Sequence, residues 1–295
     1  MASWPAALMS PRSQTLLPWL IMLAAIAVTY AKKSAEATPE AAAAGINAML
    51  ANLRDILLFR GEYSYAYYFY LTGYCLTCCR ALREKDASAR WHYALPLLFL
   101  TSFGGGIMVP ITLGKPMVLY VNESIVPIMC LSYLAVNTIP AVLQLISSRV
   151  GRIITNTLFE IMRFHVLAGC AATAASNLPS PSYYPVPVVG PIVAGIMGGC
   201  GGAFMPLSSG LAAIENGCPW RVQSSFLVSL WLQLSCCDPN VSPYLEAVFP
   251  AFSDKTWAQM CGVLFFVLVP VFQANGYNVF GANPLAGASV KVKKS

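Results

Sequence analysis

Apolar residues gather in seven runs along the chain, at about 63–79, 93–113, 124–146, 152–175, 186–207, 221–237 and 255–274, separated by shorter stretches richer in charge and proline. Each run approaches the roughly 20 residues that an α-helix needs to cross a bilayer. A shorter apolar stretch from Leu16 to Ala31, preceded by Arg12, reads as a signal peptide or signal anchor over residues 1–31. Residues 32–60 are Ala-rich and mildly polar and read as a lumenal linker with room for a short helix. The pattern therefore predicts an all-α polytopic membrane protein, with a seven-helix domain over 61–275 and a cytosolic tail over 276–295.

Two of the runs repeat an internal motif. Gly104-Gly105-Gly106-Ile107-Met108-Val109-Pro110 lies in the second, and Gly201-Gly202-Ala203-Phe204-Met205-Pro206 lies in the fifth, behind Gly195, Gly198 and Gly199. Both contain Gly-Gly-x-x-x-Pro. Glycine lets helices approach closely and proline removes a backbone donor, so both runs are expected to kink and pack tightly. A matched pair of Gly/Pro-interrupted spans points to a transport pathway built from an internal repeat, against the plainer reading that such residues are common in membrane helices.

Charge sets the orientation. Arg80, Arg83, Lys85 and Arg90 follow the first run, Arg149 and Arg152 the third, Arg221 the fifth, and Lys291, Lys293 and Lys294 the seventh. The alternate connections hold Lys115 and Lys255 among Glu123, Asp238, Glu246 and Asp254. By the positive-inside rule the basic set and the C terminus are cytosolic. The sequons at Asn122 and Asn240 then fall in lumenal loops, where glycosylation is expected. The terminal Lys291-Val292-Lys293-Lys294-Ser295 resembles a dilysine tail for retrieval to the endoplasmic reticulum.

Composition excludes other classes. Hydrophobic residues make up 57% of the 295 and charged residues 10%, and the net charge of +6 is scattered rather than gathered in a stripe for nucleic acid. Cys75-x-x-Cys78-Cys79 lies in an apolar run with no second ligand pair, so packing is expected there rather than a metal or disulfide. With only His92 and His165, and no P-loop or dinucleotide fingerprint, no enzyme is expected. The aromatic cluster from Tyr63 to Tyr70 reads as an interfacial anchor.

Inside the fourth run, Glu160 and Arg163 stand three apart and share a helix face. An intramembrane charge pair marks a pathway or, alternatively, locks helix packing. His165 reads as part of a packing network.

The order of these features resembles the trimeric intracellular cation (TRIC) channels. The resemblance covers residues 60–286 and rests on the basic stretch Arg80 to Arg90, then Phe103 to Pro116, then Glu160-x-x-Arg163 and the glycine-rich fifth run. Asn216-Gly217-x-Pro219-Trp220 and Asn283-Pro284-Leu285 complete it. It implies two inverted three-helix repeats plus a seventh helix, a homotrimer with a pore in each protomer, and conduction of monovalent cations, chiefly potassium. The current would supply counter-ion flow for calcium movement across the endoplasmic reticulum membrane. It also implies that the kinked spans line the pore, that Glu160 and Arg163 face it, and that phosphoinositide head groups bind nearby. On this view Glu160 attracts cations and Arg163 sets its charge and position. Two departures remove positive charge: Phe159 stands where the family's motif has lysine, and Gly198 where animal members carry one. The rival readings are a secondary transporter of a small solute and a non-conducting membrane scaffold.

Overall fold

The computed structural model describes residues 39–215 and 218–274. Both chain ends lie outside the described residues, and with them the signal stretch, the dilysine tail, Asn283-Pro284-Leu285 and the Asn216-Gly217 pair. Regular structure among the described residues is helical throughout.

The chain runs through α1 (Pro39–Leu57), a 3₁₀ turn (Gly61–Tyr65), α2 (Ala66–Lys85), α3 (Trp91–Thr112), the single turn α4 (Val118–Val121), α5 (Ile125–Thr138), α6 (Pro140–Ser147) and α7 (Arg149–Asn177). It continues through α8 (Val189–Cys200), a 3₁₀ turn (Gly201–Phe204), the short α9 (Ala212–Glu215), α10 (Trp220–Leu232), a π-turn (Gln233–Cys237), α11 (Ser242–Val248) and α12 (Lys255–Ala274). By length and apolarity, α3 and α7 can each cross a bilayer, and α5 with α6 makes a third candidate.

The remaining elements stand at the expected positions but are shorter or more polar. The run read as one span over 124–146 is broken. Pro140 has no N–H to give Val136 and forces Ile139 into extended backbone (φ −110°, ψ 98°), so α5 and α6 meet at 98°. The helix allowed for within residues 32–60 is α1, which occupies 19 of them. Arg54 of α1 pairs with Asp254 at 2.8 Å and lies over the Trp257 ring at 5.2 Å, which docks α1 on α12.

The core forms where α2, α5 and α7 converge. Tyr70, Leu71, Tyr74 and Cys75 recur at helical spacing and meet Met129 of α5 and Leu158, Phe159 and Met162 of α7. The Tyr74 and Phe159 rings stack at 4.7 Å. Gly73 allows the approach, since a Cβ there would overlap Leu158. Cys75 and Cys79 are buried in this core, Cys78 borders it, and all ten cysteines are free. No metal-binding group of His, Cys, Asp or Glu occurs among the described residues.

The basic stretch after the first run is helix rather than loop. Arg80, Arg83 and Lys85 belong to α2, and Arg80 is buried. Its guanidinium donates to the Ile146 carbonyl at 2.7 Å, to Thr155 Oγ1 at 3.3 Å and to Asn156 Oδ1 at 2.9 Å. It thereby satisfies a carbonyl in the last turn of α6, where intrahelical donors run out, and ties α2 to α6 and α7. Replacing Arg80 with Met is expected to leave the Ile146 carbonyl and Asn156 amide unpaired and to destabilise the fold by about 2–3 kcal/mol. Thermal unfolding of the purified variant in detergent measures this.

Candidate functional site

Both glycine-rich helices lose their regular path at the residue before a Gly-Gly pair. Phe103 (φ −104°, ψ 15°) interrupts α3, and Cys200 (φ −131°, ψ 0°) ends α8. Gly104 and Gly105 then lie directly against Gly201 and Gly202. A Cβ on Gly104 would stand 2.8 Å from the Gly202 Cα, and one on Gly201 would stand 2.8 Å from the Gly105 Cα. A Cβ on Gly105 would also overlap the Met197 and Gly198 carbonyls, and one on Gly202 the Thr101 carbonyl. The contact is backbone on backbone and reciprocal.

This geometry corrects two expectations. The bends fall ahead of the glycines rather than at the prolines: Pro110 lies in the last turn of α3, and Pro206 follows the 3₁₀ turn through a cis peptide bond with Met205. The register also differs by one residue. Phe103 answers Cys200, so Gly104 and Gly105 answer Gly201 and Gly202, whereas the Gly-Gly-x-x-x-Pro motif aligns Gly105 and Gly106 with them. Gly106 instead packs on Val118 of α4. At the first bend the Tyr74 hydroxyl donates to the Ser102 carbonyl, satisfying backbone that the kink disturbs.

Arg163 secures the second bend. Its Nε and Nη2 donate to Glu160 Oε2 at 2.8 and 2.6 Å, and Nη1 donates to the Gly199 carbonyl at 3.3 Å. Further bonds reach the Arg221 carbonyl at 3.0 Å and the Ser224 and Ser225 hydroxyls at 2.9 and 3.3 Å, and the guanidinium lies 4.1 Å from the Phe266 ring. One side chain thus joins α7, the end of α8, the start of α10 and α12. Arg163 is 3% and Glu160 6% exposed, so each charge depends on its partner and hydrogen bonds. The i,i+3 pair expected from sequence forms, and it anchors packing. His165 is also used in packing: Nε2 hydrogen-bonds to the Leu57 carbonyl at 2.8 Å, and the ring stacks on Phe59 at 3.8 Å.

Three cavities surround the bends. One of about 470 Å³ opens beside Lys85 and Asp86, at the N-terminal end of α3, and reaches Ser102, Phe159, Gly202 and Arg221. It adjoins a neck of about 40 Å³ bounded by Ser102, Phe159, Arg163, Gly199 and Arg221. A third, of about 490 Å³, opens beside Lys115 and Pro116 at the other end of α3 and shares Val166 with the neck. Two vestibules at opposite ends of α3 therefore approach one another where the glycine bends cross.

Glu160 lines none of the three; the charged groups at the neck are Arg163 and Arg221. Arg221 was read only as a topogenic loop charge, because its role depends on a contact distant in sequence. Its guanidinium lies 4.8 Å from the Phe159 ring, so positive charge returns from α10 at the place where α7 has Phe159 instead of lysine. Gly198 admits no lysine in this arrangement, since its Cβ would fall 2.8 Å from the Cys170 Cβ. Among the remaining site residues, Pro110 lines the Lys115 vestibule and Pro206 the Lys85 vestibule, while a Cβ on Gly199 would overlap the Ser225 hydroxyl. Asn122 is half-buried and donates to the Tyr67 hydroxyl at 2.6 Å, whereas Asn240 is exposed.

The site is thus a helical membrane fold in which two glycine-bent helices cross between opposed vestibules. No family model matches the sequence, and no curated protein matches it. Solved structures do. A structure described as the basis for activity of TRIC counter-ion channels in calcium release aligns with a TM-score of 0.55 and 18% identity, over 70% of this chain and 92% of that one. A trimeric intracellular cation channel from C. elegans without Ca²⁺ aligns at 0.57 and 16%, over 77% and 96%. The same channel type with bound Ca²⁺ aligns at 0.55 and 13%, over 76% and 96%. The chain has the TRIC channel fold, as the sequence resemblance implied.

Two outcomes test the site's construction. Gly105→Ala is expected to destabilise the protein by roughly 2 kcal/mol or more, because its methyl meets backbone that cannot rotate away. Gly169→Ala, whose Cβ meets nothing within 4 Å, is expected to be neutral or to stabilise by about 0.5–1 kcal/mol. Fluorescence-detected size exclusion after a temperature series separates them. Glu160→Gln should cost about 3–5 kcal/mol by leaving Arg163 buried without a counter-charge, and Glu160→Leu with Arg163→Met should recover part of that loss.

Proposed function

We propose that the protein is a passive channel for monovalent cations, potassium foremost, in the endoplasmic reticulum membrane, supplying counter-ion flow for calcium release and uptake. The observation that carries the proposal is the pair of vestibules meeting at the glycine crossing within a TRIC fold. The reciprocal bends at Phe103 and Cys200 support a relation between α2–α6 and α7–α10 as inverted repeats, with α12 as the added helix. A homotrimer with one path per protomer follows from the same likeness.

The neck is narrow in this conformation. At about 40 Å³ it has room for only a few water molecules, and Arg163 and Arg221 present positive charge to it. Conduction requires the neck to widen and a guanidinium to withdraw. Arg163 is held by hydrogen bonds within α7 and to α8 and α10, whereas Arg221 is exposed at the cavity and its guanidinium rests on the Phe159 face. Arg221 is therefore the group that moves. Cation attraction falls to the mouth. There the hydroxyl and amide of Ser88 hold the Asp86 carboxyl below its usual pKa and keep it ionised at neutral pH.

Planar-bilayer recording in asymmetric potassium chloride tests the reading. Discrete steps reversing near the potassium potential are expected, with Arg221→Ala raising open probability or cation conductance several-fold. A folded preparation that passes no current, or an Arg221→Ala variant indistinguishable from the parent, contradicts the corresponding part. Saturable, coupled flux without unitary steps would identify a secondary transporter instead.

A further inference from the structure

We propose that the vestibule beside Lys115 is a binding site for a single-chain anionic amphiphile, a long-chain fatty-acid carboxylate. The cavity holds about 490 Å³, and its wall is mostly apolar, with Lys115, Asn122, Tyr67, His165 and Thr173 as its polar members. Lys115 stands at the mouth, exposed and without an ion-pair partner among the described residues. Gly114, at φ +63°, makes the turn that carries Lys115 past the end of α3. Deeper in, Val109, Ile125, Met162, Val166 and Cys170 form an apolar wall, with Phe59 contributed by the connection after α1.

The lining selects the occupant. The apolar part of the wall gives water few partners, and an exposed lysine at the mouth favours an anionic head group. An acyl chain gains from burial along the same wall, and its carboxylate gains the lysine. The cavity's volume is on the scale of one acyl chain. Gly169 and Thr173 of α7 border the cavity, and Gly169 is exposed, so a chain has a lateral route in. Because this vestibule is one end of the proposed ion path, an occupant there would also obstruct it. Binding is nevertheless read out independently of current.

The probe is a photoreactive palmitic acid applied to the purified full-length protein in nanodiscs, with labelled residues located by mass spectrometry. Labelling of α3 near Val109 and of α7 between Met162 and Thr173, competed by unlabelled palmitate, is expected. Gly169→Phe projects into open space and should reduce that labelling by about fivefold or more with unchanged thermal stability. Lys115→Glu, an exposed change that leaves the core alone, should weaken labelling by the acid several-fold and leave a neutral photoreactive hexadecanol unaffected. Competition by lysophosphatidic acid at lower concentration than palmitate would assign the site to a phosphate head group and overturn the carboxylate. Equal labelling by acid and alcohol would overturn the carboxylate preference, and full labelling of both variants would overturn the site altogether.

Discussion

Close contact between two lengths of backbone governs this fold. Gly104 and Gly105 lie against Gly201 and Gly202 with no side chain between them, at separations where a single methyl would strike main chain. Main chain cannot turn aside as a side chain can, so the contact fixes both helices in depth and direction together. A regular α-helix has a diameter of about 10–12 Å with its side chains, and closer approach demands glycine over the whole shared surface. The bends at Phe103 and Cys200 follow from this contact. They also create the difficulty that Tyr74 and Arg163 resolve, because bent backbone within a membrane must find hydrogen-bond partners inside the protein.

The two buried arginines perform related tasks at different depths. Arg80 meets a carbonyl in the final turn of α6, and Arg163 meets one in the final turn of α8. Each places a cation where the helix dipole is negative and intrahelical donors are missing. They differ in their compensation. Glu160 neutralises Arg163 within hydrogen-bond distance, while Glu84 lies 3.9 Å from Arg80 on an exposed turn. The Arg163 site consequently requires its carboxylate for burial, and this accounts for a Glu160 turned toward its partner instead of the cavity.

Helical class, the positions of most elements and the importance of the two glycine clusters were legible from apolar run length and Gly/Pro placement. So was the pairing of Glu160 with Arg163, which depends only on helical spacing. The one-residue register between the bends was hidden, because the motif containing Pro110 and Pro206 is more conspicuous than the residues that turn. The break at Ile139-Pro140 had a local signal in proline, masked by the continuous apolar run across it. Arg80 looked topogenic since charge near a helix end ordinarily faces solvent, and nothing local announces that α6 ends beside it. Arg221 and Phe159 are 62 positions apart, and their contact emerges only when α7 and α10 pack. Short-range chemistry was readable, in other words, and long-range juxtaposition was not.

That division bears on how the proposed path would favour cations. An intramembrane carboxylate at the narrowest point was the simplest source of selectivity, yet Glu160 is consumed by Arg163 and the neck carries guanidinium groups. Positive charge at a constriction opposes cation entry most strongly where water is scarce, so the neck acts as a barrier whose height depends on where Arg221 sits. In the proposed channel Asp86 draws cations to the Lys85 mouth within about a Debye length, but it neither narrows nor widens the neck. The proposed channel thereby divides attraction and gating between two groups, one held by the Ser88 turn and the other resting on Phe159 at the glycine crossing. Changes at the mouth should consequently alter ion supply without altering opening, and changes at Arg221 should do the reverse.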